Sequence, residues 1–487
     1  MIKNFKWLLL VSLTFAACNS DDDETVAPVV ITSGSANFAN YVALGDSFAA
    51  GYSDGALFAA GQQNAYPNLL AQQFALAGGG EFTTPFMADN YGGFASGGMQ
   101  VPQFPVRLYF NADAGAPMSV PGASTTELTD HLSGPFNNMG IPGAKSFHLA
   151  APGYATLNPY FGRFASSASA TVIADAMAQD ATFFSLWIGG NDVLSYAMSG
   201  GTGVYQEGNI DPSTYGPNDI TDPGVFAATY SGLVNGLTSN GAKGVVANLP
   251  YINALPFFTT VPHNPLPLDA TTVGLLLGPA AYGPYNAGLD QAQSFGLISV
   301  AERDRRKISF TAGPGNRVVI EDSYLTNLSG LGLPSYRQAT DEDLIVLPAR
   351  TFIGTMVGGN PMLVNGVSVP LADNWVLSKE EIAEVKEATD AYNTTIQSVA
   401  TAKGLAFVDT KAIMEQLMTE GIVKDGYTLN SDYVTGGAFS LDGIHPSPRG
   451  YALIANLFAE AINAKYGSNL PMKNMRDFRI LYPKSLE

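Results

Sequence analysis

The stretch Tyr41-Val42-Ala43-Leu44-Gly45-Asp46-Ser47 decides the fold of this 487-residue chain. Its apolar first part predicts a buried strand, and Gly45-Asp46-Ser47 predicts a tight turn directly after that strand. A serine in such a turn lies at the carboxyl end of a strand, where open α/β sheets bind their ligands. Because Gly-Asp-Ser is also ordinary turn chemistry, the tripeptide alone leaves a purely structural role open.

Three further apolar runs predict strands, and helical patterns separate them. The runs cover residues 182–188, 244–249 and 405–409. Near-continuous apolar strands are typical of a parallel sheet that is covered on both faces. Ser378-Lys379-Glu380-Glu381 is a capping box that opens one helix, and Ser447-Pro448 opens the last one. The alternation predicts a three-layer α/β/α sandwich with a mainly parallel central sheet.

Composition predicts one globular domain with large loop insertions. Hydrophobic residues make up 46% of the chain and charged residues 14%, which is typical of a core-forming protein. We expect the domain to cover residues 38–467, with insertions at about 51–135 and 250–374, and a C-terminal tail at 468–487. Within the second insertion, residues 362–369 predict a hairpin with an Asn-Gly turn.

The first 37 residues predict export and a lipid anchor. Two lysines precede an apolar run that ends in Phe15-Ala16-Ala17-Cys18, so residues 1–17 are predicted to be a signal peptide. Small residues before a cysteine resemble a bacterial lipobox, which implies lipidation of Cys18, the only cysteine in the chain.

Residues 18–37 predict an acidic tag and a flexible tether. The acidic run resembles a tag for export of lipoproteins to the cell surface, and a solvated linker is the equal alternative. The expected location is the bacterial outer membrane, with the protein exposed at the surface or facing the periplasm. The sequence leaves the membrane leaflet open.

Charge and motif content exclude several kinds of partner. A formal net charge of −18 argues against binding to nucleic acid. The sequence has no His-x-x-x-His spacing and no phosphate-cradling glycine motif, so we predict neither a metal nor a cofactor. The oligomeric state stays open at this stage.

One histidine fits a role as the base for Ser47. A serine nucleophile needs a base within hydrogen-bond reach, a group that orients the base, and donors for the oxyanion. Asp442 precedes His445 by three residues, so one loop can present both groups, although a turn aspartate and a solvated histidine are the alternatives. His131 and His263 are expected at the surface, and His148 is expected to be structural, with a place beside the site as its alternative.

Four blocks in this order resemble the SGNH (GDSL) hydrolase superfamily. The blocks are Gly45-Asp46-Ser47, Gly143 in the loop of residues 138–144, Gly189-Gly190-Asn191-Asp192, and the pair Asp442 and His445. The resemblance spans roughly residues 38–467. It implies an SGNH/flavodoxin-like fold and hydrolysis of carboxylic esters.

The resemblance also implies a role for each matched residue. Ser47 would be the nucleophile, His445 the general base and acid, and Asp442 the group that orients the histidine. The oxyanion hole would consist of the backbone N–H groups of Ser47 and Gly143 and the side-chain amide of Asn191. Gly140 is the alternative to Gly143, and the Asn191-Asp192 segment can also cap the helix that follows.

The expected activity is that of a GDSL-type esterase or lipase that forms an acyl-enzyme on Ser47 outside the cytoplasm. The ester would be a lipid or an acylated glycan, so a carbohydrate deacetylase is the alternative within the enzyme class. If the protein is not an enzyme, the alternative is a non-catalytic lipoprotein that binds glycan or lipid on the same scaffold. Aromatic residues of the insertions predict an apolar substrate site or, alternatively, small cores of the insertions; they are Phe58, Phe86, Tyr91, Phe94, Phe104, Tyr109, Phe110, Phe257 and Phe258.

Overall fold

The centre of the protein is a five-stranded parallel sheet. It belongs to a computed structural model that describes residues 30–486. The strands are β1 (Tyr41–Gly45), β2 (Asn138–Gly140), β3 (Phe183–Trp187), β4 (Lys243–Ala247) and β5 (Ala406–Val408). They lie in the order β2-β1-β3-β4-β5, and all neighbours run parallel. This is the flavodoxin-like order, in which ligands bind where the strand order reverses, between β1 and β3.

Helices cover both faces of the sheet and confirm the predicted three-layer class. The helices that pack on the sheet or border the site are α1 (Ser47–Ala50), α2 (Tyr66–Ala75), α3 (Asn191–Met198), α4 (Pro223–Leu237), α5 (Lys379–Lys403) and α6 (Pro448–Tyr466). Helix α6 packs on α2 and on the β4 and β5 edge, whereas α5 packs on α3 and α4. All residues of β1 and β3 are buried, as expected for strands with a helical layer on each side.

The predicted starts of two helices match the structure. Ser378 and Glu381 form the capping box of α5, and α5 ends at Gly404 in the left-handed conformation. The Ser447 hydroxyl accepts from the Gly450 N–H at the start of α6, and Gly467 ends that helix in the same left-handed way.

The remaining elements lie largely in the connections between the main ones, and most of them are short. Further helices span Ala59–Gln63, Tyr154–Leu157, Pro159–Gly162, Val172–Met177, Pro256–Thr259, Ala270–Leu276, Tyr282–Ser294, Val300–Arg306, Ala349–Phe352 and Thr410–Thr419. Two-stranded antiparallel pairs are Ala95–Ser96 with Met99–Gln100, Leu108–Asn111 with Ala116–Ser119, Leu266–Leu268 with Gly313–Asn316, Val319–Glu321 with Tyr336–Gln338, Leu344–Ile345 with Val376–Leu377, and Ile422–Lys424 with Tyr427–Leu429.

Two local predictions were wrong. Residues 138–140 form the edge strand β2 and are not part of a loop. Residues 362–369 do not form a hairpin: Asn365 bridges to Val369 in the parallel sense, and Val364 pairs with Met356 instead. Gly366 has a φ of +77°, so its positive φ serves a tight local turn.

The chain contacts the domain before the predicted start at Phe38. The Ser35 N–H donates to the Tyr466 carbonyl at 2.8 Å, and the Thr32 N–H donates to Asn469 Oδ1 at 2.6 Å. The predicted signal peptide and Cys18 lie outside the described residues. Within residues 30–486, no helix combines the length and the apolar character needed to cross a bilayer.

Candidate active site

The Gly-Asp-Ser turn presents Ser47 at the carboxyl end of β1. Ser47 is the first residue of α1, and Asp46 caps this helix by accepting from the Phe48 N–H at 3.0 Å. A side chain at Gly45 would bring a Cβ within 2.6 Å of the Trp187 carbonyl on β3. The glycine therefore allows β1 and β3 to pair closely at the point where the serine emerges.

Ser47, His445 and Asp442 form one hydrogen-bonded chain. His445 Nε2 lies 2.8 Å from Ser47 Oγ, and His445 Nδ1 lies 2.9 Å from Asp442 Oδ2. The proton on Nδ1 faces the carboxylate, which leaves Nε2 as the acceptor for the serine proton. Residues that are 398 positions apart in the chain are thus within proton-transfer distance.

The Asp442 carboxylate is held by four donors. Oδ1 accepts from the N–H groups of Ile444 and His445 at 2.9 and 2.8 Å, and Oδ2 accepts from the Gly55 N–H at 3.0 Å besides His445 Nδ1. Burial disfavours its charge, but His445 and these hydrogen bonds outweigh burial and lower the pKa of Asp442 to about 2. Asp442 is therefore ionised at neutral pH and can stabilise an imidazolium on His445.

Two aromatic rings fix the plane of the imidazole. The Tyr52 and Phe48 rings lie with centroids 4.7 and 5.2 Å from that of His445. The Tyr52 hydroxyl donates to the Gly55 carbonyl at 2.6 Å. Packing from both residues limits rotation of His445 away from Ser47.

Asp54, which the sequence reasoning missed, joins the turn of residues 53–56 to the loop that carries the acid and the base. Its Oδ1 accepts from the Leu441 N–H at 2.9 Å, and its N–H donates to Ser440 Oγ at 2.9 Å. Asp54 is buried with a positive φ of 51°, and burial raises its pKa to about 7. The next residue, Gly55, donates directly to Asp442, so this turn holds the carboxylate in place.

Two backbone N–H groups are available as oxyanion donors. Among the described residues, neither the Ser47 N–H nor the Gly143 N–H has a hydrogen-bond partner. Gly143 is exposed with a φ of +79°, whereas Gly140 is buried within β2. A Cβ on Gly140 would lie 2.2 Å from the Ala50 N atom, so Gly140 serves close packing against α1 and not the cleft.

Asn191 lies at the start of α3 without capping it. The helix is preceded by Gly190, and no side chain caps its first turn. Asn191 Nδ2 donates to the Ala144 carbonyl at 3.0 Å, which orients the amide and leaves its second N–H able to bind a ligand. The buried Asp192 accepts from the Ser146 N–H and hydroxyl at 2.8 and 2.7 Å. Asn191 and Asp192 thus join α3 to the loop after Gly143 by hydrogen bonds. The prediction that this segment also caps the helix was wrong, because no side chain caps the first turn of α3.

These groups meet in a cleft of about 480 Å³. Ser47, Gly143, Asn191, Asp442 and His445 all line it. The other lining residues are mostly apolar or aromatic; they are Tyr52, Gly55, Gln103, Phe104, Pro142, Leu157, Asn158, Pro159, Tyr160, Leu194, Met198, Phe257 and Ile444. Among the residues 30–486 that line the cleft, the ionisable groups are those of Asp442, His445 and the tyrosines.

The aromatic residues singled out from the sequence divide between the cleft, the protein interior and the surface. Phe104 and Phe257 line the cleft, whereas Phe58 and Phe94 are fully buried. Phe258 is likewise buried, so the core alternative describes these three residues, and the substrate-site prediction matches only the two that line the cleft. The exposed Phe86 and Tyr91 fit neither alternative.

The other histidines lie outside the hydrogen-bonded chain. His148 stacks on Tyr154, and burial followed by the Lys145 charge lowers its pKa to about 4. His131 is exposed beside the Gly162 carbonyl, and His263 lies half-buried in the second insertion. Over residues 30–486, no cluster of three or more His, Cys, Asp or Glu side chains could hold a metal ion.

Comparison with solved structures finds esterases and a lipase. A mutant of Axe2, an acetyl-xylooligosaccharide esterase from Geobacillus stearothermophilus, is 12% identical over 88% of this chain and 96% of its own, with a TM-score of 0.33. LAE5, an α/β hydrolase from the metagenome of Lake Arreo, is 12% identical over 88% and 96%, with a TM-score of 0.33. An extracellular lipase from Streptomyces rimosus is 12% identical over 87% and 98%, with a TM-score of 0.30.

No family profile and no curated protein matches the chain. The TM-scores of the solved structures are too low to support a role for any residue. The fold brings the four sequence blocks to one edge of the sheet, where Ser47, His445 and Asp442 form their hydrogen-bonded chain.

Proposed function

We propose that this protein is a serine-dependent carboxylic ester hydrolase. The observation that carries the proposal is the chain of hydrogen bonds from Ser47 Oγ through His445 to Asp442, at 2.8 and 2.9 Å, which opens into a cleft. A nucleophile, a base and an orienting acid in this arrangement are the requirements for acyl transfer to serine.

In the first step, Ser47 Oγ attacks the ester carbonyl carbon while His445 Nε2 takes the serine proton. The negative charge moves to the carbonyl oxygen, where the N–H groups of Ser47 and Gly143 and the Asn191 amide can donate to it. The ionised Asp442 stabilises the imidazolium. His445 then gives its proton to the departing alcohol, and the acyl group stays on Ser47.

In the second step, water replaces the alcohol. His445 takes a proton from the water as its oxygen attacks the acyl carbon, and the same donors hold the oxyanion. Collapse of this intermediate breaks the bond to Ser47 Oγ, which recovers its proton from His445. The products are a carboxylic acid and the free enzyme.

The walls of the cleft favour an ester with apolar groups. Leu194, Met198, Phe257 and Ile444 line it, and Leu157 at its edge is 80% exposed. Covering alkyl or aryl groups of the ester with such walls stabilises binding by roughly 25 cal/mol per Å² of apolar surface removed from water. A lipolytic esterase thus fits the cleft better than a deacetylase of a highly hydroxylated glycan.

The test is hydrolysis of a chain-length series of p-nitrophenyl esters and of acetylated xylan by the wild type and Ser47→Ala. We expect serine-dependent turnover that increases from acetyl to longer acyl chains. A preference for acetylated xylan would favour the deacetylase, and equal rates for wild type and Ser47→Ala would refute the nucleophile. Absence of any turnover together with glycan or lipid binding would favour the binding protein.

We further propose a lipid anchor on Cys18 at the bacterial outer membrane. The lipobox-like Phe15-Ala16-Ala17-Cys18 supports it. Replacement of Cys18 by Ser should move the protein from the membrane fraction to the soluble fraction of the cell envelope. Membrane association of Cys18→Ser equal to that of the wild type would refute the anchor.

A further inference from the structure

The Gly143 N–H belongs to the central peptide of a type II turn. The Ala144 N–H donates to the Ile141 carbonyl at 3.1 Å, Pro142 holds the second position, and Gly143 has a φ of +79°. Type I and type II turns differ in the orientation of their central peptide, here the one that joins Pro142 to Gly143. The direction of the Gly143 N–H therefore depends on what holds this peptide.

Asn158 holds the other end of the same peptide. Its Nδ2 donates to the Pro142 carbonyl at 2.9 Å and to the Tyr154 hydroxyl at 2.8 Å. Its Oδ1 accepts from the Tyr160 N–H at 2.9 Å and caps the helix Pro159–Gly162. Since both amide hydrogens and the amide oxygen have partners, the orientation of the Asn158 side chain is fixed.

This bond has a consequence for the oxyanion hole. In a trans peptide the C=O and N–H point in opposite directions, so fixing the Pro142 carbonyl also fixes the Gly143 N–H. A hydrogen bond to the carbonyl polarises the peptide and makes its N–H a better donor. Both effects act on the donor that the reaction needs when charge develops on the ester oxygen.

We propose that Asn158 is a positioning residue that orients and polarises the Gly143 N–H as an oxyanion donor. The proposal rests on the proposed ester hydrolysis at Ser47. Asn158 acts through the Pro142–Gly143 peptide and takes no proton itself. Its effect should therefore appear in transition-state stabilisation more than in substrate binding.

The test begins with Asn158→Asp. Aspartate is as good a helix cap as asparagine, so the cap to Tyr160 is kept. The variant has no N–H to donate and places a carboxylate oxygen against the Pro142 carbonyl. We expect kcat to fall on the order of 10- to 100-fold with little change in KM, less than the 10²- to 10³-fold cost of losing an oxyanion donor outright.

Two further variants separate this role from a structural one. Asn158→Ser keeps a capping oxygen, lacks the amide and should lose kcat in the same way. Tyr154→Phe removes one of the three partners of the Asn158 side chain but keeps the bond to the Pro142 carbonyl, so it should lose much less kcat than either Asn158 variant. If both Asn158 variants fail to fold in thermal melts, Asn158 is a structural residue and the proposal is wrong.

Binding of an alkylboronic acid gives a readout that a structural role would not change. Ser47 Oγ adds to the boron and passes its proton to His445, which creates a tetrahedral adduct with an oxygen in the oxyanion hole. For Asn158→Asp we expect affinity for the boronic acid to fall by the same factor as kcat/KM. Affinity for an ether analogue of the substrate, which has no carbonyl, should stay at the wild-type value.

Other results would overturn the proposal. If Asn158→Asp has a higher KM with the wild-type kcat, Asn158 is a substrate-binding residue. If Asn158→Asp binds the boronic acid as tightly as the wild type, Asn158 does not act on the oxyanion hole. Failure of the proposed function is distinct, since the wild type itself would then show neither Ser47-dependent turnover nor Ser47-dependent boronic acid binding.

Discussion

Replacing Asp442 by Asn tests whether a carboxylate orients the base. The change keeps the shape of the side chain, but each Asp442 oxygen accepts two hydrogen bonds from N–H groups. The amide nitrogen must replace one of these oxygens and meet two donors. At the Oδ2 side the Gly55 N–H loses its acceptor, and the contact with His445 is kept only if His445 changes tautomer, so that Nδ1 accepts and Nε2 carries the proton.

With that tautomer, Nε2 donates to Ser47 Oγ and can no longer accept its proton. The imidazolium also loses its counter-charge. In a triad of this type the substitution lowers kcat about 10⁴-fold, which corresponds to roughly 5 kcal/mol of transition-state free energy. We therefore expect Asp442→Asn to lose kcat by about this factor while it folds and binds ester as the wild type does.

The assay is steady-state hydrolysis of a p-nitrophenyl ester, with thermal melts to establish folding. Asp432→Asn is the matched control, because Asp432 is an exposed aspartate that precedes the same loop. The control should keep full activity. A kcat for Asp442→Asn within about tenfold of the wild type would contradict this expectation, since the altered tautomer of His445 cannot accept the serine proton.

Three further predictions concern neighbouring groups. Asn191→Ala should lower kcat roughly 10²- to 10³-fold with nearly unchanged KM, since it removes one oxyanion donor, and full activity would exclude Asn191 from the hole. Asp54→Ala should lower the free energy of unfolding by about 1–3 kcal/mol and reduce kcat, because the Leu441 N–H loses its acceptor. Asp54→Asn should restore both values, as its amide oxygen can replace Oδ1, and equal defects in the two variants would contradict the role of the Asp54 side chain in holding the Leu441 N–H. The pKa of Asp442 is depressed from 3.8 to about 2 in the folded state. Its ionised form therefore stabilises the fold above its unfolded pKa, and this stability is lost as pH falls through the folded value. Urea denaturation should show that the wild type loses about 2 kcal/mol more free energy of unfolding than Asp442→Asn does between about pH 5 and pH 2. A difference that is constant over this range would contradict the depressed pKa.

The fold was predictable where the chain carries a continuous apolar run. β1, β3, β4 and β5 each come from such a run, and their parallel arrangement follows from the strand–helix alternation. β2 was missed because Asn138-Met139-Gly140 is short and contains a polar residue and a glycine, so no periodicity marks it. Its identity as a strand comes from its pairing with β1.

The site was predictable only as far as its motifs are local. Asp442 and His445 share one loop, so their pairing could be read from spacing. Asp54 and Asn158 are single polar residues, and Asp54 bonds to Leu441, nearly 400 positions away. No local pattern indicates such a contact, and only the folded chain reveals it.

The most direct test of the central claim is to locate the nucleophile by mass spectrometry after reaction with a fluorophosphonate. We expect a single adduct on the peptide that contains Ser47, formed in parallel with loss of ester hydrolysis. The adduct should be absent from Ser47→Ala and strongly slowed in His445→Ala. A modified residue other than Ser47, or continued hydrolysis by fully labelled protein, would contradict the account.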